Sequence, residues 1–593
     1  MKSSIGKSLM IVMLYHALAL WGYTASIGNM DLLLFRSIAA PQPEDCQLDQ
    51  WSQWTSCFPC QQKKYRYRKL LQPAKYEGRP CVGSLWASMA CQTAQKCVPE
   101  NNCGNDFQCR DSGRCIKRRL VCNGDLDCRD SSDEEDCDAP EHETFCKTLF
   151  PIPGAEKSVR GINILTHEDT RNVIDHNYFG GQCEYIYNGE WRELRYEPVC
   201  EQMYYSDEEK YFRKPYNFHI YQFLARADTK MSIEIYEDSK DVVNAVKRDF
   251  SFNIGLTFGI SVPEAPVGLE LGLNYGLKTS FLKKITSFNQ KNLEFVRMVT
   301  KIQTARFKMR RNLLTLDEDA MQSLMELPDE YNYGLYAQFI NDFGTHYTTS
   351  GTMGGLVENI VVLDKEIMKK QEITASMVSH CFGASVRLSV QTEFEEIIPS
   401  LKLSGDFCTK FERENQDNSS SSRAIKDVIT YVIGGDSGSA GGILNVFDGR
   451  MYRYWGRSLK YNPAVIDFEI QPIYEGLQQT GLSGIEAKRQ NLKRAYNEYL
   501  SEFDPCRCGP CHNNGMPMLE NNVCTCLCAA GFNGPSCENT LRKDVKADGR
   551  WSCWSPWTQC QSGKRQRTRE CNNPAPKNGG AWCLGKSLQS EPC

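Results

Sequence analysis

The run Cys122-Asn123-Gly124-Asp125-Leu126-Asp127-Cys128-Arg129-Asp130-Ser131-Ser132-Asp133-Glu134 gathers more carboxylates than a short loop tolerates without a counter-charge. Ca²⁺ takes six to eight oxygens from carboxylates and carbonyls, so a hard cation is the chemistry this run could do. Other reactive groupings do not assemble. Gly435-Asp436-Ser437-Gly438 imitates the nucleophile segment of serine proteases, but the next residue is Ser439 and no Ala-Ala-His-Cys context supplies a base. No His-Glu-x-x-His pair occurs. His346 stands alone and reads as a structural histidine at a strand bend. The sequence is therefore expected to be non-enzymatic.

A second pattern concerns shape. From Phe250 to Val262 every even position is apolar (Phe250, Phe252, Ile254, Leu256, Phe258, Ile260), and every odd one is Gly or small and polar. Pro263-Glu264-Ala265-Pro266 breaks the run, and alternation resumes from Val267 through Leu269, Leu271 and Leu273 to Leu277. Period 2 is the signature of a strand with one apolar face. Arms of 13 and 11 residues match the ~9–11 residues a tilted strand needs to cross hydrocarbon. An ordinary half-buried sheet would show the same period. A weaker copy lies between Cys381 and Cys408, with Ala384, Val386, Leu388 and Val390, then Ile398, Leu401 and Leu403. Only closed barrels satisfy strand hydrogen bonds in lipid, so a hairpin of this kind must join others.

Twenty-nine cysteines, clustered toward both ends of 593 residues, indicate an oxidising compartment and several small stapled modules around a larger core. Lys2 and Lys7 before an apolar stretch from Leu9 to Leu20 read as a signal peptide ending near Ala25, with a linker or propeptide over 26–45. The net charge of −4 argues against a nucleic-acid partner. Parity leaves one cysteine over, and Cys200, in a polar insertion after Cys183, is the candidate for an interchain bond. Parity also suggests Cys146–Cys183, Cys381–Cys408, and a bridge from Cys506 to Cys553 or Cys560. Asn418-Ser419-Ser420 is an N-glycosylation sequon.

These blocks carry resemblances. Trp51-Ser52-Gln53-Trp54 facing Lys64, Arg66 and Arg68 resembles a thrombospondin type I repeat (46–98), and Trp551-Ser552-Cys553-Trp554-Ser555-Pro556-Trp557 resembles a second (547–593). That resemblance implies C-mannosylation at Trp51, Trp551, Trp554 and Trp557; a basic heparin-type patch is the alternative use of the first. The acidic run closes a block (101–139) similar to a low-density-lipoprotein-receptor class A module. The resemblance implies structural Ca²⁺ held by side chains of Asn123, Asp127, Asp133 and Glu134 and by backbone oxygens of Leu120 and Asp125. It also implies pairs Cys103–Cys115, Cys109–Cys128 and Cys122–Cys137. Residues 504–539 resemble an EGF-like module. Between them, 140–503 contains Tyr336, six residues, then Phe343-Gly344-Thr345-His346-Tyr347, and later the pair Gly434-Gly435. This resembles the membrane attack complex/perforin family, in the module order of terminal complement proteins.

The resemblance implies a multidomain α+β fold with a bent antiparallel sheet and two helical clusters, roughly 234–300 and 373–412, that unfurl into barrel strands. It implies a secreted pore-forming subunit that becomes inserted in a target lipid bilayer. Its implied partners are a small lipocalin linked through Cys200, a homologous second chain, and components five b, six, seven and nine. A secreted adhesion protein with a non-lytic perforin-like domain is the alternative.

Overall fold

The computed structural model describes residues 40–94, 103–137, 145–165, 168–188, 194–197, 202–205, 211–239, 241–243, 245–246, 276–288, 290, 292–381, 408, 411, 423–436, 455–478, 480, 484–528, 532–540 and 546–593. The first repeat pairs β1 (Lys63–Tyr67) with β2 (Trp86–Ala90). Past the acidic module come β3 (Arg160–Asn163) and β4 (Glu168–Asn172), then β5 (Tyr185–Tyr187), β6 (Leu194–Glu197), β7 (Gln202–Tyr205) and β8 (Tyr211–Arg213). The β5–β8 and β6–β7 pairs are each two-stranded and antiparallel.

The central sheet is built from long strands. They are β9 (Phe218–Tyr236), β10 (Leu293–Met309), β11 (His346–Asp364), β12 (Ile425–Ile433) and β13 (Ala464–Pro472). Its order is β9-β10-β11-β3-β4, with β12 and β13 both pairing β11, all antiparallel. Among its helices are α1 (Gly276–Ser287), α2 (Glu318–Met325), α3 (Tyr333–Phe343), α4 (Lys365–Lys370), α5 (Ile473–Gln478) and α6 (Ile485–Glu502). The fold is thus α+β. Caps explain several starts: Asp317 accepts from the Asp319 amide and Asn332 from the Leu335 amide, meeting orphan donors of the first turn.

Three layers of core divide the sheet. Its upper half, with β3, packs against α2, α3, α5 and α6 around Phe307, Tyr336, Ile340, Tyr474, Leu492 and Tyr496. Its lower half is covered on both faces. Leu293, Phe295, Ile360 and Val362 meet Val242, Val243 and Val246 and the α1 residues Phe281, Leu282 and Ile285. Val296, Met298, Val361 and Leu363 meet Met368, Ile373, Val378 and Phe411. Strands covered on both sides need apolar residues at consecutive positions, which is what β10 and β11 carry. The alternating stretch reaches Leu277 in the sequence, but Gly276 and Leu277 open helix α1.

An EGF-like hairpin, β14 (Met516–Glu520) with β15 (Val523–Leu527), follows, and the last repeat pairs β16 (Lys564–Thr568) with β17 (Leu588–Pro592). A Cys506–Cys553 disulfide ties these two modules together.

Candidate functional site

Along its length β11 changes partner. Residues His346 to Gly354 pair with β13, and Leu356 to Leu363 pair with β12. At the handover a Cβ on Gly354 would overlap the Ile302 carbonyl, and one on Gly434 would press on the Gly354 carbonyl. Gly434 and Gly435 both have φ near +80° (79° and 77°), a region L side chains rarely enter. The fully buried Trp455 donates its Nε1–H to the Gly434 carbonyl at 3.0 Å. Asn462 and Gly435 hold each other through the Gly435 N–H to the Asn462 carbonyl, 2.9 Å, and Asn462 Nδ2 to the Gly435 carbonyl, 3.2 Å.

Tyr336 and Phe343 on α3, Thr345 just after it, and His346 and Tyr347 at the start of β11 are all buried. Thr345 donates to the Ile162 carbonyl at 2.9 Å and accepts from the Ile164 amide at 3.0 Å, joining α3 to β3. His346 lies with Nδ1 2.9 Å from Thr345 Oγ1 and Nε2 3.3 Å from the Tyr496 hydroxyl. Burial pushes its pKa down to about 3, so the ring stays neutral. A buried neutral imidazole held by two hydroxyls is a packing element where β11 begins.

The two helical layers sit on segments that join neighbouring strands. β9 ends and β10 begins at paired positions, Tyr236 opposite Phe295. β11 and β12 do the same, Leu363 opposite Ile425. Extending residues 237–294 and 364–424 as strands would therefore prolong the sheet by two hairpins without breaking any existing ladder. The second segment is closed at its base by Cys381–Cys408. The first is held from outside: Met516 of the EGF-like module is buried in the α1 layer, and Lys283 pairs with Glu520 at 3.2 Å.

In the acidic module Asn123 Nδ2 donates to Asp127 Oδ2 at 2.9 Å, and the Asn123 amide donates to Glu134 Oε1 at 2.8 Å. The Asp127 amide donates to Asp133 Oδ2 at 2.8 Å and to the Asp125 carbonyl at 3.1 Å. The remaining oxygens, Asp127 Oδ1 and Asp133 Oδ1, are buried without a hydrogen-bond partner. Burial raises Asp127 to about 6 and also raises Asp133. Orphaned buried carboxylate oxygens are costly, and a cation between them is the donor set's natural complement. Among the described residues no three His, Cys, Asp or Glu side chains form a metal cluster; the donors here include an amide and carbonyls. Leu120, expected to give a carbonyl, is buried in the module's core. The module's cysteines pair Cys103–Cys115, Cys109–Cys128 and Cys122–Cys137, and Cys146–Cys183 follows.

The tryptophans of both repeats interleave with cations. Arg66 lies 4.4 Å and 4.6 Å from the Trp51 and Trp54 ring centres, and Arg68 4.4 Å from Trp51. In the last repeat Arg567 lies between Trp554 and Trp557 at 5.0 and 4.6 Å, and Arg569 between Trp551 and Trp554 at 4.3 and 4.4 Å.

Comparison with known proteins fits this geometry. Residues 159–509 match the MAC/Perforin domain, and residues 101–137 match the low-density lipoprotein receptor domain class A. The chain belongs to the MAC/Perforin family. It is 50% identical over 94% of its length to the complement component C8 alpha chain of Oryctolagus cuniculus, covering 95% of that protein. It is 32% identical to the complement component C8 beta chain of the same species, with 94% and 90% coverage. Complement component C6 of Bos taurus is 31% identical over 93% of this chain and 57% of its own length.

Within this MAC/Perforin fold, sequence reasoning found the later glycine pair but missed Gly354 and Gly355, which the handover needs equally. Two adjacent glycines inside a strand-like run were the available signal. It also missed Trp455. Cys200, Asn418, the membrane-hairpin residues Phe250 to Leu273, and Val386, Leu388, Val390, Leu401 and Leu403 lie outside the described residues. β6 and β7 pair Glu197 with Gln202 and so flank Cys200. Among the described residues no helix is long and apolar enough to cross a membrane.

Proposed function

We propose that this chain is a non-enzymatic, pore-forming subunit of the complement membrane attack complex, and that it acts by turning its two helical layers into amphipathic β-hairpins in a target membrane. One observation carries the reading: both layers are built from segments that connect strands already paired at their ends. Refolding them as strands lengthens β9, β10, β11 and β12 in place. The alternating residues 250–277 then supply an apolar outer face and a small, polar inner one. The apolar surface exposed by undocking is buried again in lipid, at roughly 25 cal/mol per Å².

The chain is secreted and partnered on this reading. Cys200 carries the complement eight gamma chain, a lipocalin. The beta chain and components five b, six and seven provide the docking assembly, and the free edge of the sheet templates component nine. The class A module holds structural Ca²⁺ through Asn123, Asp127, Asp133 and Glu134 with the Leu120 and Asp125 carbonyls. Trp51, Trp551, Trp554 and Trp557 carry C-mannose, and Asn418 carries N-glycan.

The test is an environment-sensitive label placed singly at Phe252, Leu256 and Leu271, with leakage of loaded vesicles followed in parallel. The labels report hydrocarbon only after the full set of components assembles, and leakage accompanies them. Labels that stay aqueous on assembled vesicles overturn the hairpin reading. Binding to cells with no leakage favours an adhesive role.

A further inference from the structure

The cation-site residues of the class A module do not face solvent alone; they face the perforin domain. Asp125 accepts from Arg213 through both carboxylate oxygens, Nη1 to Oδ1 and Nη2 to Oδ2, each at 2.6 Å. The guanidinium is almost fully buried, with Cζ 3.9 Å from the Phe179 ring centre and Nη2 3.1 Å from the Gln182 carbonyl. A Cβ on Gly181 would come within 2.5 Å of Leu120 Cδ2, so that glycine permits the close approach. A single segment, 179–182, together with Arg213, thus grips the same loop whose Asp127 and Asp133 oxygens are buried and unpartnered.

We infer that Arg213 is a positioning residue for the cation site, so that cation binding and the docking of the class A module on the perforin domain are one coupled event. The inference rests on the calcium reading given above. Arg213 acts through Asp125. By clamping that side chain it fixes the peptide whose carbonyl accepts from the Asp127 amide at 3.1 Å. Groups that orient metal ligands from behind typically set affinity by 10–100-fold. Coupling is reciprocal: if docking tightens the cation, the cation tightens docking by the same factor.

Charge must be separated from position. Removing Arg213 alone would leave Asp125 as an extra anion that attracts a divalent ion, masking the loss. The informative variant removes both charges, Arg213→Met with Asp125→Asn, since Asp125 is assigned only its backbone oxygen. The full-length chain is titrated with Ca²⁺ by calorimetry, and amide exchange of residues 178–187 and 211–218 is measured with and without Ca²⁺. In the wild type, Ca²⁺ slows exchange in those perforin-domain segments, and the double variant binds Ca²⁺ about tenfold more weakly with a smaller exchange response. Exchange at α6 serves as the control for folding of both proteins. Wild-type protein that binds Ca²⁺ with no exchange response at 178–187, or a folded double variant with unchanged affinity, overturns the coupling while leaving the calcium site standing. A wild type that shows no Ca²⁺ binding removes both.

Discussion

The first and last repeats carry the same tryptophan–arginine ladder and live in different surroundings. In the first, Tyr67 and Leu70 are buried in the main core of the perforin domain. Tyr67 donates to Glu502 of α6 at 2.6 and 2.7 Å, Tyr333 donates to the same carboxylate, and the Leu70 amide donates to it at 2.7 Å. Trp86 Nε1 reaches the Gly334 carbonyl at 3.1 Å. In the last repeat β16 and β17 alternate between exposed and half-buried, and Trp582 is 73% exposed. Its ties to the rest include Cys506–Cys553, the Asn573 bond to the Cys506 carbonyl and the Asp548 amide's bond to Asn514 Oδ1. A ladder makes the repeat; what its outer residues meet decides whether the repeat becomes part of the body.

The largest break in that comparison should come from Glu502→Ala. It strands two buried phenols and a backbone amide at once, and each unsatisfied group costs about 1–3 kcal/mol. We expect a loss of about 3 kcal/mol or more in the unfolding of the perforin domain, with amide exchange rising across β1 and β2. Exchange in β16 and β17 should not change. Equal loosening of both repeats would show that the first is not fused through this carboxylate.

Acid should separate the two ends by a smaller amount. His346 packs on Tyr496 of the helix that also carries Glu502. Its folded pKa, about 3, lies below the ordinary 6.5 because of burial. Between those values the unfolded chain binds a proton that the folded chain refuses, so stability falls as pH drops below 6.5, by about 1.4 kcal/mol per unit. From pH 6.5 to 5 that is about 2 kcal/mol. Denaturant melts at the two pH values, for wild type and His346→Gln, measure it: the variant's slope against pH is shallower, and the last repeat's transition does not move. Identical slopes would mean that the ring is protonated in the fold.

Much of this was legible from residue spacing because the signals are local. Cysteine blocks marked the modules, and the Trp-x-x-Trp segments facing alternate cations matched the ladders. The Tyr336 to Tyr347 segment marked the family and with it the α+β class. What was illegible depends on residues far apart in the chain. Glu502 meets Tyr67 across 435 positions, and nothing near either residue announces the other. Arg114 finds Asp175 at 2.6 Å and Arg213 finds Asp125, yet in the sequence each is one charge among many. The alternation ending at Leu277 predicted strand to its last residue, whereas Gly276 and Leu277 open a helix whose Phe281, Leu282 and Ile285 bury against the sheet. Periodicity reports one conformation; tertiary packing selects the other.

The finest test asks whether the ladders themselves are equivalent. Arg66 sits between Trp51 and Trp54, and Arg567 between Trp554 and Trp557, at centre distances from 4.4 to 5.0 Å. A cation over an indole contributes about 0.5–1 kcal/mol at exposed sites and more where it is desolvated. Arg66→Gln and Arg567→Gln should therefore each cost about 1 kcal/mol, read as faster amide exchange in β1 and β16 respectively. The first substitution should leave α6 unperturbed, because Arg66 does not take part in the Glu502 hydrogen bonds and its neighbour Tyr67 does. If Arg66→Gln instead loosens α6 as Glu502→Ala does, the first ladder has been recruited into the fusion. The repeats would then differ in their rungs as well as in their neighbours.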